Sequence, residues 1–183
     1  MLFYSTIQRV IISAATISKA REFANNVVAT TNYSDSNQYS LEKIKQDHFI
    51  SKVGEEAARI VLAGFAVVSG PDYGIYAADR KSWDDDLYVH KTGISVKTQK
   101  KSVAAKYGLS WTFQCSVTRS DIILKKPDAW VVFVEFDDLS RNICFVYPPY
   151  QIKELTFGQP VLQKLKGHKK VVYANTLPCR LIN

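Results

Sequence analysis

The residues best suited to chemistry lie in one window, SWDDDLYVHKTGISVKTQ, residues 82–99. Three consecutive carboxylates, Asp84, Asp85 and Asp86, open a short apolar run. Like charges this close cost energy unless water or a shared cation relieves them. Lys97 follows within the apolar pattern of Ile94 and Val96. Side chains alternate along a strand, so Ile94 and Val96 share one face while Ser95, Lys97 and Gln99 share the other. A tight turn at Lys91, Thr92 and Gly93 would bring Asp86 beside the Ser95 and Lys97 side of the hairpin. Carboxylates next to a lysine can hold a divalent cation and set a fixed positive charge beside it. Singly, each feature has a plainer reading. A triple Asp is usually a solvated turn, and a strand lysine usually guards an edge.

The surrounding pattern supplies the elements that must position this window. Apolar residues Ile7, Val10, Ile11, Ala14, Ile17, Ala20, Ala24 and Val27 recur at helical spacing and predict a first helix over 4–30. A polar Ser/Asn/Asp-rich loop follows to residue 40. A second helix is expected over 41–63, with a break allowed near Gly54. FAVVSG (65–70) reads as a strand, and GPDYG (70–74) as a turn. Strands are expected at 86–90, 93–99, 109–117, 129–136 and 142–148, and AWVVFVEF is of the kind buried on both faces. QPVLQKLKGH (159–168) is helix-like. Helices first and strands after predict an α/β or α+β domain with a mixed sheet.

An acid opening one strand, a tight turn and a lysine on the adjoining strand resemble the core of the PD-(D/E)XK, or restriction-endonuclease-like, nucleases. DLYV…ISVKTQ is similar to the variant in which a glutamine follows the lysine on the same face. The resemblance implies a central mixed β-sheet flanked by helices, here with an N-terminal helical extension. It implies that Asp86 binds a divalent metal, Mg2+ with Mn2+ able to substitute, and that Lys97 positions or activates the attacking water. Ser95 stands where the family has its second acid, and a hydroxyl is a weaker ligand for a hard cation. KVGEEAARIVLAGF (52–65) resembles the GE-x-x-A-x-x-x-L helix that points a glutamate at the metal in several branches. The motif match places Glu55 in that role, with Glu56 adjacent, and helical geometry leaves the two open. The implied catalytic set is Asp86, Lys97, Gln99, Glu55 and Glu56, and the implied metal set is Asp86, Glu55 and Asp85. The resemblance covers residues 50–148.

The bulk composition agrees with a nucleic-acid partner. The chain has 183 residues, 46% hydrophobic content and a net charge of +7. That suits one domain: a helix and loop over 1–40, a catalytic core over 41–150 and an extension over 151–183. Within 91–126, Lys91, Lys97, Lys100, Lys101, Lys106, Arg119, Lys125 and Lys126 face a single acid, Asp121, with Tyr107, Trp111 and Phe113 interleaved. Of these, Trp111 and Phe113 alternate on a strand as core residues, and Tyr107 is open to nucleic acid. Such a basic stripe is expected to meet phosphates, double-stranded DNA first. KLKGHKK (164–170) offers a second basic run. Cys115, Cys144 and Cys179 form no CxxC pair, which argues against structural zinc and fits a reducing, cytoplasmic setting. VIISAATIS (10–18) is bracketed by Arg9, Lys19 and Arg21 and is too short to span a bilayer, so no membrane is expected. Two expectations rank behind a DNA endonuclease: a nuclease-fold protein that binds without cutting, and an RNA-directed nuclease. Two-strand cleavage often takes two active sites, so a homodimer is expected, with the first helix as a dimer or DNA-clamping element.

Overall fold

The computed structural model describes residues 4–30, 40–76 and 85–180. Its elements in chain order are β1 (Gln8–Ile11), α1 (Ala14–Val27), α2 (Leu41–Ala63), β2 (Val68–Ser69), β3 (Leu87–Val89), β4 (Thr92–Lys100), α3 (Lys101–Tyr107), β5 (Ser110–Gln114), β6 (Trp130–Asp137), β7 (Ile143–Val146), β8 (Tyr150–Gln151) and β9 (Lys169–Tyr173). The main sheet runs β1-β7-β6-β4-β3-β2, with β8 also on β6, while β5 and β9 form a separate two-stranded sheet. β4 and β6 are parallel and the other pairs antiparallel, so the sheet is mixed.

β6 explains the layering. Val132, Val134 and Phe136 belong to a core shared with Ala20, Val53, Ala57, Ala58 and Leu62 of the two long helices. Val131 and Phe133, on its other face, pack with Trp111, Phe113 and Val172 of the small sheet. The protein is therefore mixed α and β in three layers: helices, main sheet, small sheet. Each fully buried Val, Leu or Phe contributes about 1.5–3 kcal/mol, so β4 and β6 are held from both sides. Trp111 adds an Nε1–H bond to the Val134 carbonyl at 2.9 Å and stacks on Phe133 with centroids 4.5 Å apart.

α2 is continuous through Gly54. Ser40 caps it, its hydroxyl accepting from the Lys43 amide at 3.3 Å. Gly54 is where helix and sheet approach most closely. A Cβ built there would fall 1.8 Å from Thr98 Oγ1, so only glycine lets α2 settle on β4. That contact gives the glycine of the GE motif a physical reason.

Several expected elements differ. The first helix begins at Ala14, not near residue 4. Residues 8–11 form β1, paired with β7 from Gln8↔Val146 to Ile11↔Ile143. Ser13 ends the strand and caps α1, its Oγ accepting from the Thr16 amide at 3.1 Å. The helix-like 159–168 segment holds only a short 3-10 turn at Gln163–Leu165, and the last two residues of KLKGHKK open β9. α3 was not expected from the sequence. The turn expected at Asp72 is present: its carboxylate accepts from the Gly74 amide at 2.7 Å and the Tyr76 hydroxyl at 3.0 Å. Cys115, Cys144 and Cys179 are free thiols. No described helix is long and apolar enough to cross a membrane.

Candidate active site

Asp86 stands one residue ahead of β3. Leu87 pairs with Ile94, so the register carries Asp86 to a place opposite Ser95. The β3 pairing stops there, and the Asp86 carboxylate takes over. Its Oδ2 accepts from the Val96 amide at 2.7 Å. Burial pushes the Asp86 pKa up. The Val96 N–H and the charges of Lys97 and Lys52 oppose that rise, while Asp85 adds to it. The Asp85 carboxylate itself lies against Gly93, where a built Cβ would come within 1.8 Å of Oδ2. Asp84 lies outside the described residues.

Glu55 approaches from α2. It is 3% exposed, and burial followed by repulsion from Asp86 raises its carboxyl to about 7. Two α2 neighbours hold it: Ser51 Oγ donates to Oε1 at 3.0 Å, and Lys52 Nζ donates to Oε2 at 2.6 Å. Glu56 has other partners. Arg59 Nε donates to it at 2.7 Å and the Tyr73 hydroxyl at 3.1 Å. Asp86 thus shares its electrostatic environment with Glu55, while Glu56 ties α2 to Tyr73. Among the described residues no group of three or more His, Cys, Asp or Glu converges as a cation site. Asp85, Asp86 and Glu55 therefore do not assemble as one three-carboxylate cluster.

Lys97 lies on the β4 face that meets the small sheet. Its Nζ is 2.9 Å from Asp121 Oδ2 and 5.1 Å from the centroid of the Phe113 ring. Asp121 also accepts from the Gln114 amide at 3.2 Å, so β5 positions the partner of Lys97. Gln99 is committed to the same sheet. Its Oε1 accepts from the Ser110 amide at 2.8 Å and its Nε2 donates to Ser110 Oγ at 3.4 Å. Asp86, Lys97, Gln99 and Ser51 line one cleft of about 540 Å³. A second groove of about 670 Å³, lined by residues of α1 and the turn between β6 and β7, contains none of the expected site residues.

The expected nucleic-acid residues divide. Lys100 and Tyr107 line the cleft. Arg119 is close enough for its charge to act on Lys169, which also lines it. Lys101 pairs with Asp137 at 2.9 Å, and Lys106, Lys125 and Lys126 are exposed elsewhere. Lys169 belongs to the second basic run expected from the sequence, KLKGHKK, while Lys52, Ser51, Asp47 and Lys43 were not singled out there. Asp121 carried a signal, as the lone acid in a long basic stretch. No protein-family model, curated protein or solved structure matches the chain.

Proposed function

We propose that the chain is a Mg2+-dependent endonuclease of the restriction-endonuclease-like type, hydrolysing DNA phosphodiester bonds. One observation carries the reading: Glu55 of α2 and Asp86 before β3, far apart in sequence, come near enough for the Asp86 charge to raise the Glu55 pKa, and Asp86 lines one cleft with Lys97. Buried carboxylates are placed against each other at an energetic cost, and a shared cation is what relieves it. The donors suit Mg2+, a hard ion that takes oxygen ligands and is often held by only one or two carboxylates. Asp86 and Glu55 would hold it, and when bound it supplies a nucleophilic water at neutral pH and neutralises charge on the phosphoryl oxygens.

The chain's own groups do the rest. Lys97, held by Asp121, presents an ammonium to the attacked phosphate and stabilises the charge that develops there. Asp86 ties the end of β3 to Val96, which sets the spacing between its own carboxylate and Lys97. Gln99 fixes β5 against β4 and so holds Asp121 in place. Ser95 donates no carboxylate, and Glu55 stands in its stead.

The test is cleavage of plasmid and of single-stranded circular DNA with Mg2+ or Mn2+, comparing the wild type with Asp86→Asn, Glu55→Gln and Lys97→Ala. Nicking by the wild type, lost in all three variants, is expected. Cleavage that survives Asp86→Asn and Lys97→Ala would remove the assignment. A second reading, a nuclease-fold protein that binds without cutting, is favoured by Lys52, whose ammonium already neutralises Glu55. No nicking with either metal on any DNA form, with binding retained, supports that second reading.

A further inference from the structure

The cleft runs on past Asp86 and Lys97. Three lysines reach its remaining wall from three elements: Lys43 in the first turn of α2, Lys100 at the end of β4 and Lys169 at the start of β9. Among the described residues, no ion pair within 4.0 Å engages any of these three ammonium groups. Asp47 lies among them. Burial nonetheless raises its pKa against the pull of Lys43, Lys169 and Lys100. Burial also lowers the pKa of Lys169; Asp47 resists this, while Lys43 and Arg119 add to it. Cations gathered in a partly enclosed space repel one another, and a bound anion recovers that energy.

Shape then selects the form of the anion. The cleft's volume, about 540 Å³, is of the size that takes one or two nucleotide units rather than a helix. α2, β4, β9 and the 160–165 segment wall it together, so it does not open along one flat face. A duplex is wider than such a trough, and a single strand with unstacked bases is not. Tyr107, 39% exposed, and Tyr173 line it, and an exposed aromatic ring such as that of Tyr107 can stack on a base. We propose that this cleft binds single-stranded DNA, with Lys43, Lys100 and Lys169 on the backbone phosphates and Tyr107 stacked on a base. The strand is thereby delivered to Asp86 and Lys97. The proposal deepens the nuclease reading and rests on it only for the chemistry after binding.

The experiment is fluorescence anisotropy in EDTA, so that nothing is cut. The probes are a fluorescein-labelled oligothymidine of about twelve nucleotides and a blunt duplex of the same length, within the range of known single-strand sites. Wild type is expected to bind the single strand about tenfold more tightly than the duplex or better. Lys43→Ala combined with Lys169→Ala is expected to weaken single-strand binding about tenfold and to lower the salt-dependence slope by about 1.4. Lys169→Arg keeps the charge and should keep the affinity. Tyr107→Ala, at an exposed position, should cost about fivefold or more, and keeps the proposal testable if the double variant does not fold. Duplex binding as tight as single-strand binding overturns the proposal, as does a folded double variant with wild-type affinity. Tight, lysine-dependent single-strand binding without metal-dependent cleavage upholds it and sinks the nuclease reading instead.

Discussion

Lys52 Nζ stands 2.6 Å from Glu55 Oε2, with side chains 13% and 3% exposed. The same ammonium lies 5.0 Å from the centroid of the Phe23 ring and 5.6 Å from that of Tyr73, and its charge also lowers the pKa of Asp86. A monovalent cation thus occupies the electrostatic position that the proposed function gives to a divalent one. Removing it should expose the repulsion between Glu55 and Asp86. Breaking a buried pair costs about 3–5 kcal/mol, so Lys52→Gln is expected to melt well below the wild type in EDTA. Millimolar Mg2+ should restore more stability to this variant than to the wild type, as read by thermal melts. A variant indifferent to Mg2+ would argue that the two carboxylates hold no cation.

Glu55 also predicts a pH dependence. Its folded pKa, raised to about 7, lies above the ordinary value of 4.5, so the folded state binds the proton more tightly than the unfolded state does. The stability from this group is full below about pH 4.5 and is lost as pH rises through about 7. A divalent ion needs the deprotonated carboxylate, so its stabilisation should grow over that same window. Melting curves at pH 5.5 and pH 8, roughly on either side of that pKa, should therefore show a larger Mg2+ shift at the higher pH. Glu55→Gln should flatten both effects. An equal shift at both pH values would mean that Glu55 is not a ligand.

Gly54 joins the helix that carries Glu55 to the strand that carries Lys97. Alanine there gains about 1 kcal/mol of helix propensity. It also drives a Cβ to 1.8 Å from Thr98 Oγ1 and 2.9 Å from Thr98 Cβ. Thr98 sits on a central strand and has little room to give, so the clash wins. Gly54→Ala should cost about 1–3 kcal/mol by denaturant melts and should lower cleavage further by moving Glu55 away from Asp86. Gly64→Ala is the control. It lies at the end of α2 with φ −69°, and its built Cβ meets only the Val61 carbonyl at 3.3 Å, so a change within about 0.5 kcal/mol is expected. Equal effects at both positions would remove the packing argument.

How much of this was legible in the sequence depended on the range of the interaction. The β3–β4 hairpin and the face shared by Ser95, Lys97 and Gln99 follow from strand alternation over a few residues, and the register agrees. Glu55 came from a motif rather than from geometry, because both glutamates flank the apolar stripe of α2 and their partners are set by tertiary packing. β1 was read as helix because Ile7, Val10 and Ile11 also fit helical spacing. What decides for strand is pairing with Ile143–Val146, which no local window contains. α3 hid in a basic run with no buried residue to mark a periodic face. Lys43 and Asp47 look like ordinary surface charges along the chain, and they converge with Lys169 of the second basic run only when α2 and β9 meet at the cleft.

The pairing of Lys97 with Asp121 separates a residue that acts from one that positions it. The Lys97 side chain is 26% exposed at the cleft, and Asp121, itself held by the Gln114 amide of β5, pairs with its Nζ at 2.9 Å. Lys97→Ala removes the ammonium and should lower cleavage by about 100-fold or more, with binding in EDTA little changed. Asp121→Asn leaves the ammonium but weakens its anchor. By analogy with supporting residues at other sites, it should cost about 10–100-fold in rate. The Asn side chain can still accept from the Gln114 amide through its carbonyl, so the fold is expected to hold. The discriminating readout is a pair of rates. Lys97→Arg should retain part of the wild-type rate when Asp121 is present and lose it when Asp121 is Asn. If Asp121→Asn reduces activity as completely as Lys97→Ala while the protein stays folded, Asp121 acts on the substrate or metal itself rather than through the lysine.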